Sequence, residues 1–157
     1  MSSLHPPTAR RVLAIDPATR HTGVAYVSGS TDTITCPTKL RGDDRLDWWA
    51  HTYNILVHDE RPDVVVYEAP FIHRQRPASG VALVELHVKL RDVLRVHGIV
   101  STVVPPSLLK QRATGKGNAG KPEMIAAARA LGWDGDGDDQ ADAWLLWHGA
   151  HQGWWVS

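Results

Sequence analysis

The sequence lacks the features that mark membrane, secreted and repeat proteins. Its longest apolar runs, such as VVVY and STVV, are far shorter than the roughly 20 residues that span a bilayer. The N-terminus, MSSLHPPTARR, has no apolar core of a signal peptide. A single cysteine, Cys36, excludes an internal disulfide and fits a reducing cytosol. We therefore expect a cytoplasmic protein with no membrane partner.

The chain also lacks net charge, but its charges are unevenly distributed. No acidic residue occurs between Val93 and Pro122. Five basic residues occur in that segment: Arg95, Lys110, Arg112, Lys116 and Lys121. An acidic segment, DGDGDDQAD, follows at 134–142. The basic segment could bind a polyanion and the acidic segment could bind cations, so the balanced total hides a divided surface.

The hydrophobic pattern predicts one α/β domain. Short apolar or β-branched runs predict strands at RRVLAID, VVVYE and GIVSTVV, and a hairpin at TGVAYVSG and DTITCPT. Helical spacing predicts a helix in GDDRLDWWAHTYNILVHDE, with Asp43 or Asp44 as its cap. Further helices are predicted at Val81–His97, Ser107–Arg112, Pro122–Leu131 and Asp139–His148. This order predicts a mixed sheet of about five strands, an antiparallel hairpin plus parallel strands, with helices on both faces.

The acidic segment partly matches a calcium-binding EF-hand loop. Asp134, Asp136 and Asp138 occupy ligand positions of that loop, but Asp139 stands where Gly makes the sharp turn and Leu145 stands where a bidentate Glu is needed. A solvated acidic turn accounts better for Asp134 and Asp136, to which we assign no catalytic role.

The stretch GKGNAGK partly matches a phosphate-binding loop. Its Gly and Lys spacing is right, but Pro122 replaces the Ser or Thr that binds magnesium, and no strand directly precedes it. A flexible basic loop is the better interpretation, because the glycines permit motion and the lysines supply charge.

Four carboxylates form a more specific pattern. Asp16 and Glu68 each end an apolar strand, and Asp139 and Asp142 are three residues apart on one helix face. Each alone is typical of a turn or an N-cap. Together they converge if the two strands are neighbours and the helix packs over their ends. Clustered carboxylates require cations or raised pKa values, so the pattern predicts a site for two Mg²⁺ ions that hydrolyses phosphodiesters.

Four segments resemble the RuvC Holliday-junction resolvases of the ribonuclease H-like superfamily. They are IDPATRHTGVAYV, PDVVVYEAPF, VPPSLLKQRATGKGNAGKPEM and DDQADAWLLW, in the family's order over about residues 11–150. The chain is similar in size to the compact resolvases of phage genomes. The resemblance implies a single nuclease domain over 1–157 with a ribonuclease H-like fold, in a bacterial cell or a phage-infected host.

The resemblance also implies residue roles. Asp16, Glu68, Asp139 and Asp142 match ligands of two Mg²⁺ or Mn²⁺ ions, in an endonuclease of DNA recombination and repair. The resemblance implies an endonuclease that resolves four-way junctions by symmetric nicks, which leave a 5′-phosphate and a 3′-hydroxyl. The likeness to the phage subgroup implies that it also acts on other branched DNA. Catalytic Lys121 and DNA-binding Lys110 match lysines near the scissile phosphate, and Phe71 matches an aromatic that inserts at the junction centre. The expected DNA-binding set is Phe71, Arg74, Arg76, Lys110, Arg112, Lys116 and Lys121.

Symmetry favours a homodimer, because two strands of a junction must be cut equivalently. The helix Val81–His97 is apolar on more than one face, so it is either buried on two sides or forms the dimer interface. Ala18 and Pro70 depart from the family pattern in loops beside the acids. Trp144 and Trp147 are expected in the core or an interface, and Trp154 and Trp155 have no predicted role.

Three other functions are compatible with parts of the pattern. A ribonuclease acting on RNA–DNA hybrids or ribosomal RNA precursors would use the same fold and acids. A non-catalytic junction-binding protein would keep the basic loop and Phe71 but cleave nothing. An actin-like ATPase also begins with an acidic strand and a hairpin, but it requires two such domains, which 157 residues cannot supply.

Overall fold

The computed structural model describes residues 10–71 and 75–155. Five strands and five helices occur in these residues. In chain order they are β1 (Val12–Asp16), β2 (His21–Ala25), β3 (Thr31–Thr35), α1 (Gly42–Glu60), β4 (Val64–Glu68), α2 (Pro77–Val96), β5 (Val100–Val104), α3 (Pro106–Thr114), α4 (Lys121–Ala130) and α5 (Asp138–Gln152). None of the helices in these ranges is both long and apolar enough to span a membrane.

The strands form one mixed sheet in the order β3-β2-β1-β4-β5. β2 pairs antiparallel with both β1 and β3, whereas β4 pairs parallel with both β1 and β5. The predicted hairpin plus parallel strands is therefore confirmed. In the β1–β4 register Ile15 lies opposite Tyr67. Asp16 and Glu68 follow these residues directly, so both acids stand at the same edge of the sheet.

Helices cover both faces of the sheet, as the sequence predicts. Side chains alternate along a strand, so Leu13 and Ile15 face one apolar cluster while Val12 and Ala14 face another. The first cluster includes the buried residues of α1 and α2, and the second includes those of α4 and α5. The apolar residues of β1 and β4 are buried on both sides of the sheet.

Four predicted helices have ends that differ from the structure. α2 begins at Pro77 rather than Val81. Proline at the first helical position is pre-organised for a helix. The prediction missed this turn because the residues PASG show no helical spacing of apolar side chains. α3 extends from Pro106 to Thr114, beyond the predicted Ser107–Arg112. α4, at Lys121–Ala130, is shifted by one residue from the predicted Pro122–Leu131. α5 begins at Asp138, one residue before the predicted start, and ends at Gln152 rather than His148.

The predicted cap of α1 is wrong. Arg41 is the N-cap residue of α1 and makes no side-chain capping bond. Asp43 and Asp44 lie within the first turn of the helix. There their charges favour the positive end of the helix dipole without capping it.

Gly23 allows α5 to start directly against β2. A Cβ atom at this position would overlap the backbone carbonyl of Asp139. Gly23 also pairs with Asp16 across β1 and β2. The close approach therefore brings the first turn of α5 to the strand that carries Asp16.

The last tryptophans fold back onto α5. Trp155 Nε1 donates a hydrogen bond to the carbonyl of Leu146 at 3.0 Å. Both Trp154 and Trp155 occupy the space beside Gly149 that a Cβ there would need. Trp144 is buried in the core, as predicted, and the two terminal tryptophans, which had no predicted role, close the end of the helix.

Candidate active site

The structure brings the four predicted carboxylates together. Asp16 ends β1, Glu68 ends β4, and Asp139 and Asp142 lie in the first turns of α5. Their proximity appears in the pKa of Asp16, which burial raises well above its usual value and which the negative charges of Glu68, Asp142, Asp139 and Asp138 raise further. Three elements that are distant in the chain therefore contribute acids to one site.

Burial and mutual repulsion also perturb the other acids. Burial raises the pKa of Glu68 to about 7, and the charge of Asp142 contributes to the increase. Burial raises the pKa of Asp142 to about 7, with further contributions from Asp138 and Asp139. Burial and the Asp138 charge raise the pKa of Asp139. Near neutral pH the free site thus has a strong tendency to bind protons or cations.

A pocket of about 240 Å³ opens beside these acids. It is lined by Glu68, Leu109, Lys110, Ala119, Gly120, Lys121, Met124, Asp138 and Asp142. Lys110 comes from α3 and Lys121 is the first residue of α4. Two cations and three carboxylates therefore face one cavity, which suits a ligand that carries negative charge and is also attracted to cations held by the acids.

Asp138 is a member of this site that the sequence did not reveal. Its Oδ2 lies 2.9 Å from the Lys121 Nζ, although the Lys121 side chain is 80% exposed. This hydrogen bond raises the pKa of Lys121 and lowers the pKa of Asp138. The sequence pattern treated Asp138 only as a position in a calcium loop, because its contact with Lys121 depends on how α4 and α5 lie beside each other.

The other two acids of the calcium-loop alternative lie outside the pocket lining. Asp134 is exposed. Asp136 is exposed and pairs with Arg129 at 3.6 Å. This arrangement agrees with the solvated turn that the sequence predicts, and it gives the EF-hand interpretation no support. The stretch GKGNAGK follows helix α3 rather than a strand, which contradicts the phosphate-loop alternative.

The donor atoms of the site suit hard divalent cations. Within residues 10–71 and 75–155, no three or more His, Cys, Asp or Glu side chains form a ready-made metal-binding group. The available donors are nevertheless carboxylate oxygens, which Mg²⁺ and Mn²⁺ prefer. A divalent cation would also relieve the repulsion that raises the pKa of Asp16. The acids thus fit such ions chemically, and the identity and number of the ions stay predictions.

The predicted DNA-binding residues fall in two areas. Phe71 is 65% exposed, so it is not a core residue. It borders a groove of about 490 Å³ together with Arg76 at the start of α2. Arg112 is exposed on α3, and Lys116 follows that helix, with its Nζ 3.9 Å from Glu123. Arg74 lies outside the described residues, and DNA binding by all of these residues stays a prediction.

Two buried polar side chains approach the acids from α1 and α2. The ring of His87 contacts the Glu68 carbonyl oxygen at 2.7 Å. The Tyr53 hydroxyl is buried, with Thr22 and Asp16 close to it. Burial raises the Tyr53 pKa, and the charge of Asp16 raises it further. Sequence patterns identify both residues only as members of helices, since their contacts depend on how those helices cross the sheet.

The chain matches no protein-family model and no curated protein sequence. It is similar to the solved structure of Thermus thermophilus RuvC in complex with Holliday junction substrate, with a TM-score of 0.72 and 22% identity over 90% of this chain and 95% of that chain. A second structure of the same RuvC gives a TM-score of 0.68 and 22% identity over 90% and 96% of the two chains. The yeast mitochondrial Holliday junction resolvase Ydc2 gives a TM-score of 0.62 and 15% identity over 94% and 81%. The chain therefore has the RuvC-like, ribonuclease H-like fold.

Proposed function

We propose that this protein is a divalent-metal-dependent endonuclease that resolves four-way DNA junctions by paired nicks. The observation that carries the proposal is the convergence of acids from β1, β4 and α5 beside two lysines. The neighbour that was solved with a Holliday junction substrate supports DNA branches as the substrate class. A nuclease of recombination and repair, acting in the bacterial or phage-infected cytoplasm, is the role that we expect.

In this proposal the acids hold two Mg²⁺ or Mn²⁺ ions. Asp16, Glu68, Asp139 and Asp142 are the ligands. The ions, when bound, supply positive charge that stabilises the attacked phosphate and its leaving oxygen. Because the acids come from two adjacent strand ends and one helix, the sheet holds them in place while the phosphate enters the pocket. The expected products carry a 5′-phosphate and a 3′-hydroxyl.

The lysines act on the phosphate from within the same pocket. Lys110 and Lys121 line the same pocket as Glu68 and Asp142. The charge of Lys110 lowers the pKa of Glu68 against the effect of burial, so it acts directly on the acid cluster. We assign Lys110 to phosphate binding and Lys121 to the stabilisation of charge that develops during cleavage.

The remaining basic residues and Phe71 contact DNA outside the pocket. Arg76, Arg112 and Lys116, with Arg74, attract the backbone by charge. Phe71 stacks on a base at the junction centre, since an exposed aromatic ring offers a face to any base.

A homodimer supplies the two sites that symmetric nicking needs. α2 buries Leu86 and Leu90 against the fold, while Val81 and Val88 are 56% and 48% exposed on another face. These exposed valines are the proposed interface. Light scattering during gel filtration tests it, and a dimer that persists unchanged in Val88→Asp would contradict the assignment.

Asp16→Asn provides the decisive test of the activity. We expect the wild type to nick a labelled four-way junction with Mg²⁺, and Asp16→Asn not to cut it with Mg²⁺ although it still binds the junction in Ca²⁺. Asp134→Asn, which removes the same charge from an exposed position, should cut normally. Undiminished cleavage by Asp16→Asn would refute its role.

The same assay separates the alternatives by substrate. Forks, linear duplexes and RNA–DNA hybrids are titrated with Mg²⁺ beside the four-way junction. Preferred cleavage of the hybrid would favour a ribonuclease, and junction binding without any cleavage by the wild type would favour a binding protein.

A further inference from the structure

We infer that His87 is a positioning residue that holds Glu68 in the geometry required for metal binding. The inference rests on the proposed role of Glu68 as a metal ligand, and it concerns a residue on α2 that reaches the acid through the backbone rather than through its carboxylate.

His87 joins the end of β4 to the helix that covers it. Its Nε2 contacts the Glu68 carbonyl oxygen at 2.7 Å and its Nδ1 contacts the Leu83 carbonyl oxygen at 2.7 Å. A carbonyl oxygen only accepts hydrogen bonds, so a neutral ring, which has one N–H, donates to one of these two carbonyls, and a doubly protonated ring donates to both. The imidazole is thus a short, rigid link between α2 and the last residue of the strand.

His87 is buried, so its ring nitrogens need hydrogen-bond partners within the protein. The side chain is 6% exposed, on the same helix face as Leu86, Leu90 and Leu94. An apolar residue would continue this face without the cost of burying polar nitrogens. The His87 ring also lies 5.8 Å from the ring of Tyr67, which precedes Glu68. Tyr67 on the strand and Leu83 on the helix therefore both restrain the His87 ring.

The position of the contact makes it important for the carboxylate. Glu68 is the final residue of β4, and the chain leaves the sheet after it. Ala69 N still donates to Val104 O at 2.8 Å on the β5 side, and His87 restrains the Glu68 carbonyl from the helix side. A rotation of this peptide would move the Glu68 Cα–Cβ bond and, with it, both carboxylate oxygens. Partners that orient a metal ligand commonly change metal affinity when they are removed.

The test compares metal binding in His87→Phe, His87→Gln and Leu90→Ala. Phe keeps a ring of similar size but cannot donate. Gln retains an N–H donor that can reach a carbonyl. Leu90→Ala is the matched control, because Leu90 is buried on the same helix and its truncation lowers stability without changing a contact of Glu68. Each variant is kept well below its Tm, and Mn²⁺ binding to the DNA-free protein is measured by calorimetry.

We expect Mn²⁺ affinity to fall roughly tenfold in His87→Phe, to recover to near the wild-type value in His87→Gln, and to stay unchanged in Leu90→Ala. In cleavage assays the Mg²⁺ concentration for half-maximal rate should rise in His87→Phe while junction affinity in Ca²⁺ does not change. Unchanged Mn²⁺ affinity in His87→Phe, or an equal loss in Leu90→Ala, would overturn the inference. Wild-type protein that binds Mn²⁺ but cuts no junction would refute the proposed nuclease while the Mn²⁺ affinities still decide the role of His87.

Discussion

Replacing Glu68 with Gln should stabilise the metal-free protein, and the gain should increase with pH. Burial raises the pKa of this carboxyl from 4.5 to about 7, and the charge of Asp142 adds to the increase. Because the folded pKa is the higher one, the folded protein holds the proton more tightly than the unfolded chain. The contribution of the protonated Glu68 to stability is therefore complete below about pH 4.5 and is lost as the pH rises through about 7.

The pKa difference sets the size of the effect. The interval from 4.5 to about 7, at about 1.4 kcal/mol for each pH unit, gives an upper limit of about 3.5 kcal/mol at pH 8. Water in the pocket and coupled protonation of Asp142 reduce this value, so we expect about 2 kcal/mol at pH 8 and below about 1 kcal/mol at pH 5. For a domain of this size 1 kcal/mol changes Tm by roughly 2–4 °C. Glu68→Gln should therefore raise Tm by about 6 °C at pH 8 and about 2 °C at pH 5.

Circular dichroism melting with EDTA, at several pH values between 5 and 8, measures this difference. Glu85→Gln is the control, because it removes the same charge from an exposed position on α2, and we expect no comparable gain. Millimolar Mg²⁺ should raise the Tm of the wild type more than that of Glu68→Gln. The ion binds the folded state through the Glu68 carboxylate, which the variant lacks. A gain that is the same at pH 5 and pH 8, or no gain at pH 8, would refute the electrostatic argument.

Three further predictions concern the surroundings of the acids. Gly23→Ala should cost about 1–3 kcal/mol of stability, because its Cβ would overlap the Asp139 carbonyl; an unchanged Tm would mean that β2 and α5 are farther apart than described. Phe71→Ala should weaken four-way junction binding roughly tenfold in fluorescence anisotropy while leaving linear-duplex affinity unchanged, and equal losses on both substrates would argue against stacking at the branch. Asp138→Asn should modestly strengthen junction binding by releasing Lys121, and the same gain in a Lys121→Gln background would show that the ion pair is not the cause.

The strand acids were predictable because local sequence determines them. Each follows an apolar run of strand length, and a proline soon ends the strand, as Pro17 follows Asp16 and Pro70 follows Glu68 by two residues. Parallel pairing of β1 and β4 then places their ends together. The fold class follows from the same pattern of short apolar runs and helical periods, and the similar solved structures confirm it.

The supporting residues were not predictable, because their roles depend on tertiary geometry. Asp138 and Lys121 are the first residues of α5 and α4, so their contact depends on how these two helices start beside each other. His87 and Tyr53 occupy helix positions that differ little in pattern from apolar neighbours. Their approach to the site depends on how α2 and α1 rotate against the sheet. A one-residue rotation of a helix moves a side chain by about 100°, and no short motif records that angle.

Two of the seven tryptophans, Trp49 and Trp155, lie at opposite ends of the strands. Trp49 Nε1 donates to the carbonyl of Thr19 at 3.0 Å, in the loop that follows Asp16, so we expect its emission to respond to changes near the acids. Trp155 lies at the opposite edge, in a small cavity with Val12 and Val64, the first residues of β1 and β4. Fluorescence quenching on metal binding that disappears in Trp49→Phe would report occupancy of the acids. The C-terminal indoles would not respond to binding and would report only the unfolding of their end of the sheet.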